Sequence, residues 1–501
     1  MLRQAQHDIE KYFTMNLTLI SPEITLFLGA LVILMSDVFF AKKVKDFFYI
    51  SHLLSLLFCA VSLFLVLKNF TTADVIFSKM FASNSFTSFV KAVTVGLLAV
   101  VVLFSFKFVS SVPKISAEFL ALLMIATSGG MILVSANDFL VFYLGLELQA
   151  LSLYLLAALN RDSAKSSEAG MKYFILGCLA SGILLFGISL IYGFSGTTNF
   201  SALMELYHKP NVAPQIPVGV MFGFVLVITA MFFKIAAAPF HMWSPDVYEG
   251  SATISTTFFA TVAKFTAVMA LLRLFYVLII GWHGIEKVFI FSAILSLAVG
   301  SFGAIFQKSF KRLLAYSSIG HVGFVLLGMA VLSKEGFTAC ILYMVIYAVI
   351  SIGSFGFLNL VTSATTDKES DAENDKIFEI SSLAGLSKTN PFMAFALAAL
   401  MFSTAGIPPL AGFFSKFFIL TAILAQGHLA AAILAVLFSV VSAYYYLRIV
   451  KIMYFDEPQK VMVLDQTTNI KVIIFVTALF NLLFIFFIDA ITNSIANFAG
   501  L

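Results

Sequence analysis

Residues 218–250 read VGVMFGFVLVITAMFFKIAAAPFHMWSPDVYEG, and the fold follows from this stretch. Its first half is a continuous apolar run with no alternation, which fits a membrane helix and not a strand of a barrel. Pro239 then interrupts the run, because proline removes an amide donor and clashes with the preceding turn, and Pro245 follows. Lys234 lies five residues before Pro239. A lysine inside a bilayer costs at least ~2.5–3.5 kcal/mol on insertion scales, so it faces a partner or a hydrated interior. A second such unit is FSTAGIPPLAGFFSKF at 402–417, where Gly406, Pro408, Pro409 and Gly412 precede Lys416. Two broken helices, each with a lysine beside the break, point to inverted repeats and an ion path near the midplane.

The rest of the chain fits this reading. Of 501 residues, 61% are hydrophobic and 11% are charged, and the mean hydropathy is +1.02. Soluble domains are about 45–50% apolar and about 25% charged, so a soluble enzyme, a disordered tail and a nucleic-acid binder are excluded. The net charge of +4 comes from scattered basic residues that form no polyanion site. Cys59, Cys178 and Cys340 are far apart in apolar runs and lack metal-ligand spacing, so they read as packed, reduced thiols. The opening MLRQAQHDIEKYFTM has no secretory pattern; it is a short surface extension, or Met15 is the start.

Apolar runs predict an all-α polytopic protein with about fourteen transmembrane helices. They fall near 17–40, 47–67, 86–106, 117–135, 138–159, 170–193, 217–240, 252–276, 285–306, 313–332, 337–360, 391–425, 428–450 and 471–490. The expected organisation is an extension (1–16), helices 1–3 (17–116), a five-helix repeat of helices 4–8 (117–276), a second of helices 9–13 (277–450) and helix 14 (451–501). Helices 7 and 12 are the broken ones. Identity between the halves is slight. The second repeat contains the polar loop 363–390, with Asp367, Glu369, Asp371, Glu373 and Asp375. Loops after odd-numbered spans carry Lys42, Lys43, Lys45, Arg161, Lys308, Lys311, Arg312, Lys368 and others. Their excess over the opposite side is about two to one, which puts those loops in the cytoplasm and both termini outside.

Five lysines lie within spans: Lys91, Lys172, Lys234, Lys264 and Lys416. Glu147 lies mid-span in LGLELQALSLYLL and His321 in SSIGHVGFVLL. Lys91, five residues into its span, is close enough to the interface to snorkel. Lys172 opens its span near Lys165 and Glu168, where it is a relay group or a surface ion pair. His321 is a relay group or a histidine bonded to a backbone carbonyl. Lys234, Lys264, Lys416 and Glu147 are harder to dismiss. Burial disfavours a charged amine and a nearby carboxylate favours it, so buried lysines poised between the two suit proton transfer. Arginine could not serve, because it stays protonated.

At these residues the chain resembles a family. KIAAAPFHMWSPDVYEGS, SPEITLFLGALVILMSD, EAGMKYFILGCLASGILLFG, KRLLAYSSIGHVGF and GIPPLAGFFSKF are similar to the subunit N family of bacterial NADH–quinone oxidoreductase, respiratory complex I. The resemblance runs from about Leu19 to Asp489, and the MWSPDVYEG wording favours N over the sister subunits L and M. It implies a proton relay of Glu147, Lys172, Lys234, Lys264, His321 and Lys416, with Glu147 paired to Lys234. It also implies an inner-membrane location among neighbouring membrane-arm subunits and membrane lipid. This chain would then carry no cofactor and no metal; NADH, FMN, iron–sulfur clusters and quinone would belong to other subunits. The rival readings are a subunit of a multisubunit sodium–proton antiporter, a hydrogenase-type membrane subunit, an independent transporter and a structural scaffold. The last would not explain Lys234, Lys264 and Lys416 together.

Overall fold

A computed structural model describes residues 2–40, 47–111, 115–207, 216–278, 284–364, 378–457, 464 and 467–498. The acidic run Asp367–Asp375 and the loop residues Lys42, Lys43, Lys45 and Lys368 lie outside the described residues.

The chain is helical almost throughout. In order, the helices are α1 (Leu2–Phe40), α2 (Phe47–Lys68), α3 (Ser85–Ser111), α4 (Ser116–Ser135), α5 (Phe139–Ala157), α6 (Ala164–Ser195) and α7 (Phe200–Tyr207). Then come α8 (Val218–Ile235), α9 (Trp243–Gly250), α10 (Thr253–Phe258), α11 (Lys264–Leu278), α12 (Ile285–Ile305), α13 (Phe310–Ala330) and α14 (Lys334–Ala364). The last are α15 (Leu386–Thr389), α16 (Pro391–Ala405), α17 (Ala411–Ala425), α18 (Leu429–Phe455), α19 (Thr468–Leu483) and α20 (Ile488–Phe498). Among the described residues, thirteen helices are long and apolar enough to cross a membrane, and α16 and α17 are shorter apolar helices that follow one another.

Local chemistry sets the ends. Asp138 caps α5 by accepting from Leu140 N at 2.8 Å, and Asn390 caps α16 by accepting from Met393 N at 3.3 Å, with Pro391 in the first turn. Such caps satisfy amides that a helix start leaves orphaned. The two breaks close alike. Ala236 after α8 and Gly406 after α16 both take left-handed backbone, with φ of 60° and 89°. In each case the next amide reaches back five residues, Ala237 N to Phe232 O at 2.8 Å and Ile407 N to Phe402 O at 3.1 Å. This is the cap geometry that ends a helix in a sharp turn. Proline follows three residues after each left-handed residue, at Pro239 and Pro409.

The span Thr253–Tyr276 is buried at every residue but Tyr276 and forms the centre, whereas most of Leu429–Phe455 is not buried and lies at the rim. Rim helices expose Leu53, Phe64, Leu179, Val440 and Phe486, as lipid contact requires. Gly300 lets α12 meet α13 closely, since a Cβ there would lie 2.6 Å from Gly320 N.

Some elements were not foreseen. Asp74–Ile76 pairs antiparallel with Phe81–Ser83, and strands of three residues are too short to show a period. Its Phe81 bridges to Ala136 in the α4–α5 turn. The loop before α8 holds α7, and the chain's last helix is the amphipathic α20, whose Phe498 ring lies against Phe70 and Phe89.

Candidate functional site

Glu147, Lys234, Lys264, His321 and Lys416 form one row through the bundle, while the buried charges Glu23, Lys91, Asp138, Arg273 and Lys311 lie outside it. At one end, Glu147 of α5 accepts a hydrogen bond from Ser181 of α6. Lys234 Nζ stands 3.9 Å from the same carboxylate oxygen and donates to the Tyr154 hydroxyl at 3.1 Å. Lys234 occupies the last turn of α8, where free helix carbonyls favour a cation. A cavity follows, lined by both Lys234 and Lys264 together with Gln149, Tyr173, Trp243 and Tyr248. It has room for about one water molecule, and its lysines and Gln149 supply the polar partners a water needs.

Lys264 is 3% exposed at the centre of the bundle. A π turn, Phe259–Ala263, immediately precedes it; such turns recur at functional sites. Lys264 Nζ donates to Ser318 Oγ of α13 at 2.7 Å and lies 5.5 Å from the centre of the Tyr248 ring. No carboxylate pairs with it among the described residues.

One turn further along α13 stands His321. Its Nδ1 is 2.7 Å from the Tyr343 hydroxyl, and its Nε2 is 3.4 Å from the Tyr446 hydroxyl, which in turn is 2.5 Å from Ser317 Oγ. A second cavity is lined by His321, Lys416, Ser317 and Tyr446. Lys416 Nζ donates to Thr404 O at 3.1 Å, Ala405 O at 2.9 Å and Ser439 Oγ at 3.0 Å. It therefore caps the carbonyl end of α16 from within α17, at the negative pole of the half-helix. Gly406 makes this possible: a Cβ there would lie 3.1 Å from Lys416 Cδ.

Two lysines stand apart from the row. Lys172, included in the relay by the resemblance, lies with its side chain 42% exposed. It bridges Glu168 at 2.7 Å and Asp246 at 2.8 Å, in the surface ion pair that was its alternative reading. Lys91 does not snorkel. It is 3% exposed, 2.6 Å from Glu23 of α1 and 4.7 Å from the centre of the Phe81 ring. Removing one partner of a buried pair leaves an uncompensated charge and costs about 3–5 kcal/mol, whereas an apolar pair of similar volume is often neutral. Lys91→Met is therefore expected to lower the thermal-unfolding midpoint of the purified assembly, and Glu23→Leu with Lys91→Met to recover most of the loss. A midpoint unchanged in Lys91→Met would show that the pair holds nothing together.

Sequence reasoning missed Tyr154, Ser181, Tyr248, Ser318, Tyr343 and Tyr446. A signal existed in the aromatic usage. The chain has 57 Phe against 16 Tyr, and a buried tyrosine needs a partner for its hydroxyl. Tyrosines mid-span therefore mark polar positions. No group of His, Cys, Asp and Glu that could hold a metal occurs among the described residues.

Comparison with known proteins adds the family context. Residues 136–442 match the family described as NADH:quinone oxidoreductase/Mrp antiporter, TM. NADH-quinone oxidoreductase subunit N of Paramagnetospirillum magneticum is 44% identical over 452 residues, which cover 89% of each chain. A chain of respiratory complex I from Thermus thermophilus, solved with bound aureothin, superposes with a TM-score of 0.78 at 25% identity, over 94% of this chain and 98% of that one. A chain of the Mrp complex from Dietzia sp. DQ12-45-1b superposes with a TM-score of 0.79 at 20% identity, over 96% of each chain, a likeness of fold alone.

Proposed function

The chain belongs to the NADH-quinone oxidoreductase subunit N family, the antiporter-like, proton-translocating membrane subunits of complex I, and we propose that its proton path is the row Glu147, Lys234, Lys264, His321 and Lys416. The observation that carries this reading is the pair of cavities. One is lined by Lys234 and Lys264 together, the other by His321 and Lys416 together. Hydroxyl groups stand at both ends of the step between the cavities, Ser318 at Lys264 and Ser317, Tyr343 and Tyr446 around His321.

In this path Glu147 controls the entry member. With the carboxylate close, the Lys234 ammonium is held; when the two separate, the proton is released toward the cavity. Lys264 receives it in a site that offers the Ser318 hydroxyl and an aromatic face but, among the described residues, no carboxylate. His321 and the tyrosines pass it on, and Lys416 holds it at the carbonyl end of α16. Adjacent lysines repel one another when both are charged, so each transfer favours the next.

The two breaks support a pair of inverted repeats, residues 117–276 and 277–450, with 1–16, 17–116 and 451–501 outside them. If the two blocks fail to superpose, that division is wrong. The chain sits in the bacterial inner membrane beside other membrane-arm subunits, with both termini on the periplasmic side and the Lys172–Asp246 face in the cytoplasm. NADH oxidation, FMN, the iron–sulfur clusters and quinone reduction are assigned to other subunits. Membership of the N family, at 44% identity to a curated relative, sets aside the sodium–proton antiporter reading. The test is NADH-driven proton uptake by inverted membrane vesicles carrying single substitutions along the row. Loss of uptake at Lys234, Lys264 and Lys416 is the expected result; a wild-type gradient in all three would remove the row from the mechanism.

A further inference from the structure

α9 is a short helix with two contrasting sides. Toward the interior it carries Trp243 and Tyr248, which form part of the wall of the cavity between Lys234 and Lys264. The Trp243 ring stacks on Tyr173 of α6 with centroids 4.3 Å apart, and its Nε1 donates to Phe233 O of α8 at 2.9 Å. Toward the surface it carries Asp246 and Glu249. The Asp246 carboxylate spans two helices: one oxygen is 2.8 Å from Lys172 Nζ of α6 and the other is 2.8 Å from Arg312 Nη1 of α13. Arg312 also holds Glu249 at 2.8 Å. Next along the chain, Lys311 Nζ of α13 donates to Ser251 O at 2.9 Å, and a Cβ on Gly250 would lie 2.7 Å from Lys165 O of α6.

These contacts are more than a solvated charge cluster. Single exposed pairs contribute little to stability, and Asp246 and Arg312 are each 31% exposed and Lys172 42%. Their importance lies in geometry. α6 supplies Ser181 to Glu147, and α13 supplies Ser318 to Lys264. One carboxylate thus ties together the helices that serve Glu147 and Lys264, through a segment that walls the cavity between Lys234 and Lys264.

We propose that Asp246 is a positioning residue that clamps α9 between α6 and α13, holding Trp243 and Tyr248 as the wall between Lys234 and Lys264. Lys172 is the α6 arm of the clamp and not a proton carrier. The proposal rests on reading the row as the proton path. With the clamp closed, protons cross that space only by way of the two lysines. With it loosened, α9 shifts, the wall opens toward the nearby surface and transfer no longer follows electron flow.

The experiment uses the intact complex in inverted vesicles and reads the pH gradient formed per NADH oxidised. Asp246→Asn is expected to lower that ratio by about threefold or more, the size of effect expected when a coupling element is weakened, and Asp246→Glu to restore most of it. Damage to folding alone would reduce the amount of complex, the electron rate and the gradient together and leave the ratio intact. Arg312→Gln provides a second reading should Asp246→Asn fail to assemble. An arginine cannot hand on a proton, so a lower ratio there reports the clamp. Lys172→Arg keeps a cation beside Asp246 but cannot relay; a retained ratio supports the clamp, and a lost one overturns this assignment of Lys172. Lys264→Ala, measured alongside, tests the proton path itself. Wild-type ratios in Asp246→Asn and Arg312→Gln, with loss in Lys264→Ala, would overturn the clamp and leave the path standing. A wild-type ratio in Lys264→Ala would overturn the path instead.

Discussion

Lys234→Ala is expected to reduce NADH-driven proton translocation about tenfold or more, the scale on which positioned acid–base groups act, while the complex still assembles. The substitution removes the one amine that both faces Glu147 and lines the first cavity. Alanine leaves a space beside Tyr154, and a water there cannot hold a proton as an ammonium does. Because translocation and electron transfer are coupled, the quinone-reductase rate should fall too, but by a smaller factor, so that the gradient formed per NADH oxidised also drops. Assembly should persist because Lys234 adds no link between distant helices beyond its contacts with Tyr154 and Glu147 of α5. The check is proton uptake and NADH–quinone activity on the same vesicles, with assembly read from a native gel. A mutant with wild-type rate and gradient would take Lys234 out of the mechanism.

Glu147→Gln is expected to impair the same two activities, and Glu147→Asp to be milder. The carboxylate oxygen stands 3.9 Å from Lys234 Nζ. A charge pair at about 4 Å is worth about 1 kcal/mol in water and about 4 kcal/mol at an effective dielectric of 20. A loss of even half the larger figure changes an equilibrium more than tenfold. Glutamine retains the size of the side chain and an oxygen for the Ser181 hydrogen bond, so it isolates the charge. Aspartate retains the charge at slightly longer reach. If glutamine is harmless, charge coupling between Glu147 and Lys234 is wrong.

How much of this was legible in the sequence depends on how each feature leaves its mark. A proline in an apolar run is visible anywhere, so both broken helices could be placed from Pro239 and from Pro408 and Pro409. A charge in an apolar run is equally visible, which singled out Lys234, Lys264 and Lys416. What sequence does not give is the partner. Lys91 reads as an interface lysine from its position along α3, yet its partner Glu23 lies on α1, more than sixty residues earlier. Lys172 reads as a relay group by resemblance or as a surface ion pair with Glu168; its second partner, Asp246, comes from α9, more than seventy residues later. The π turn before Lys264 has no sequence signature, since the span is buried on all sides and has no apolar face whose phase could shift. The hydroxyl groups between Lys264 and Lys416 were missed because a serine or tyrosine within a membrane helix marks a polar position without telling which group it meets.

The three lysines of the proposed path also stand in different surroundings. Lys234 stands near a carboxylate, Lys264 among hydroxyls and aromatic rings, and Lys416 at backbone carbonyls. In the proposed path, amines in three different settings would hold their protons to different extents, which would give the path its direction when the setting of one member changes.

The central claim is that these lysines gain and lose protons, and do not merely supply fixed charge. Lys264→Arg tests it most directly, because arginine keeps a cation at the centre of the bundle and stays protonated throughout. The measurement is the pH gradient formed per NADH oxidised by inverted vesicles, compared with wild type and Lys264→Ala at equal amounts of assembled complex. The account predicts that arginine fails as alanine does. A wild-type ratio with arginine at position 264 would show that a fixed charge is enough and would contradict the relay.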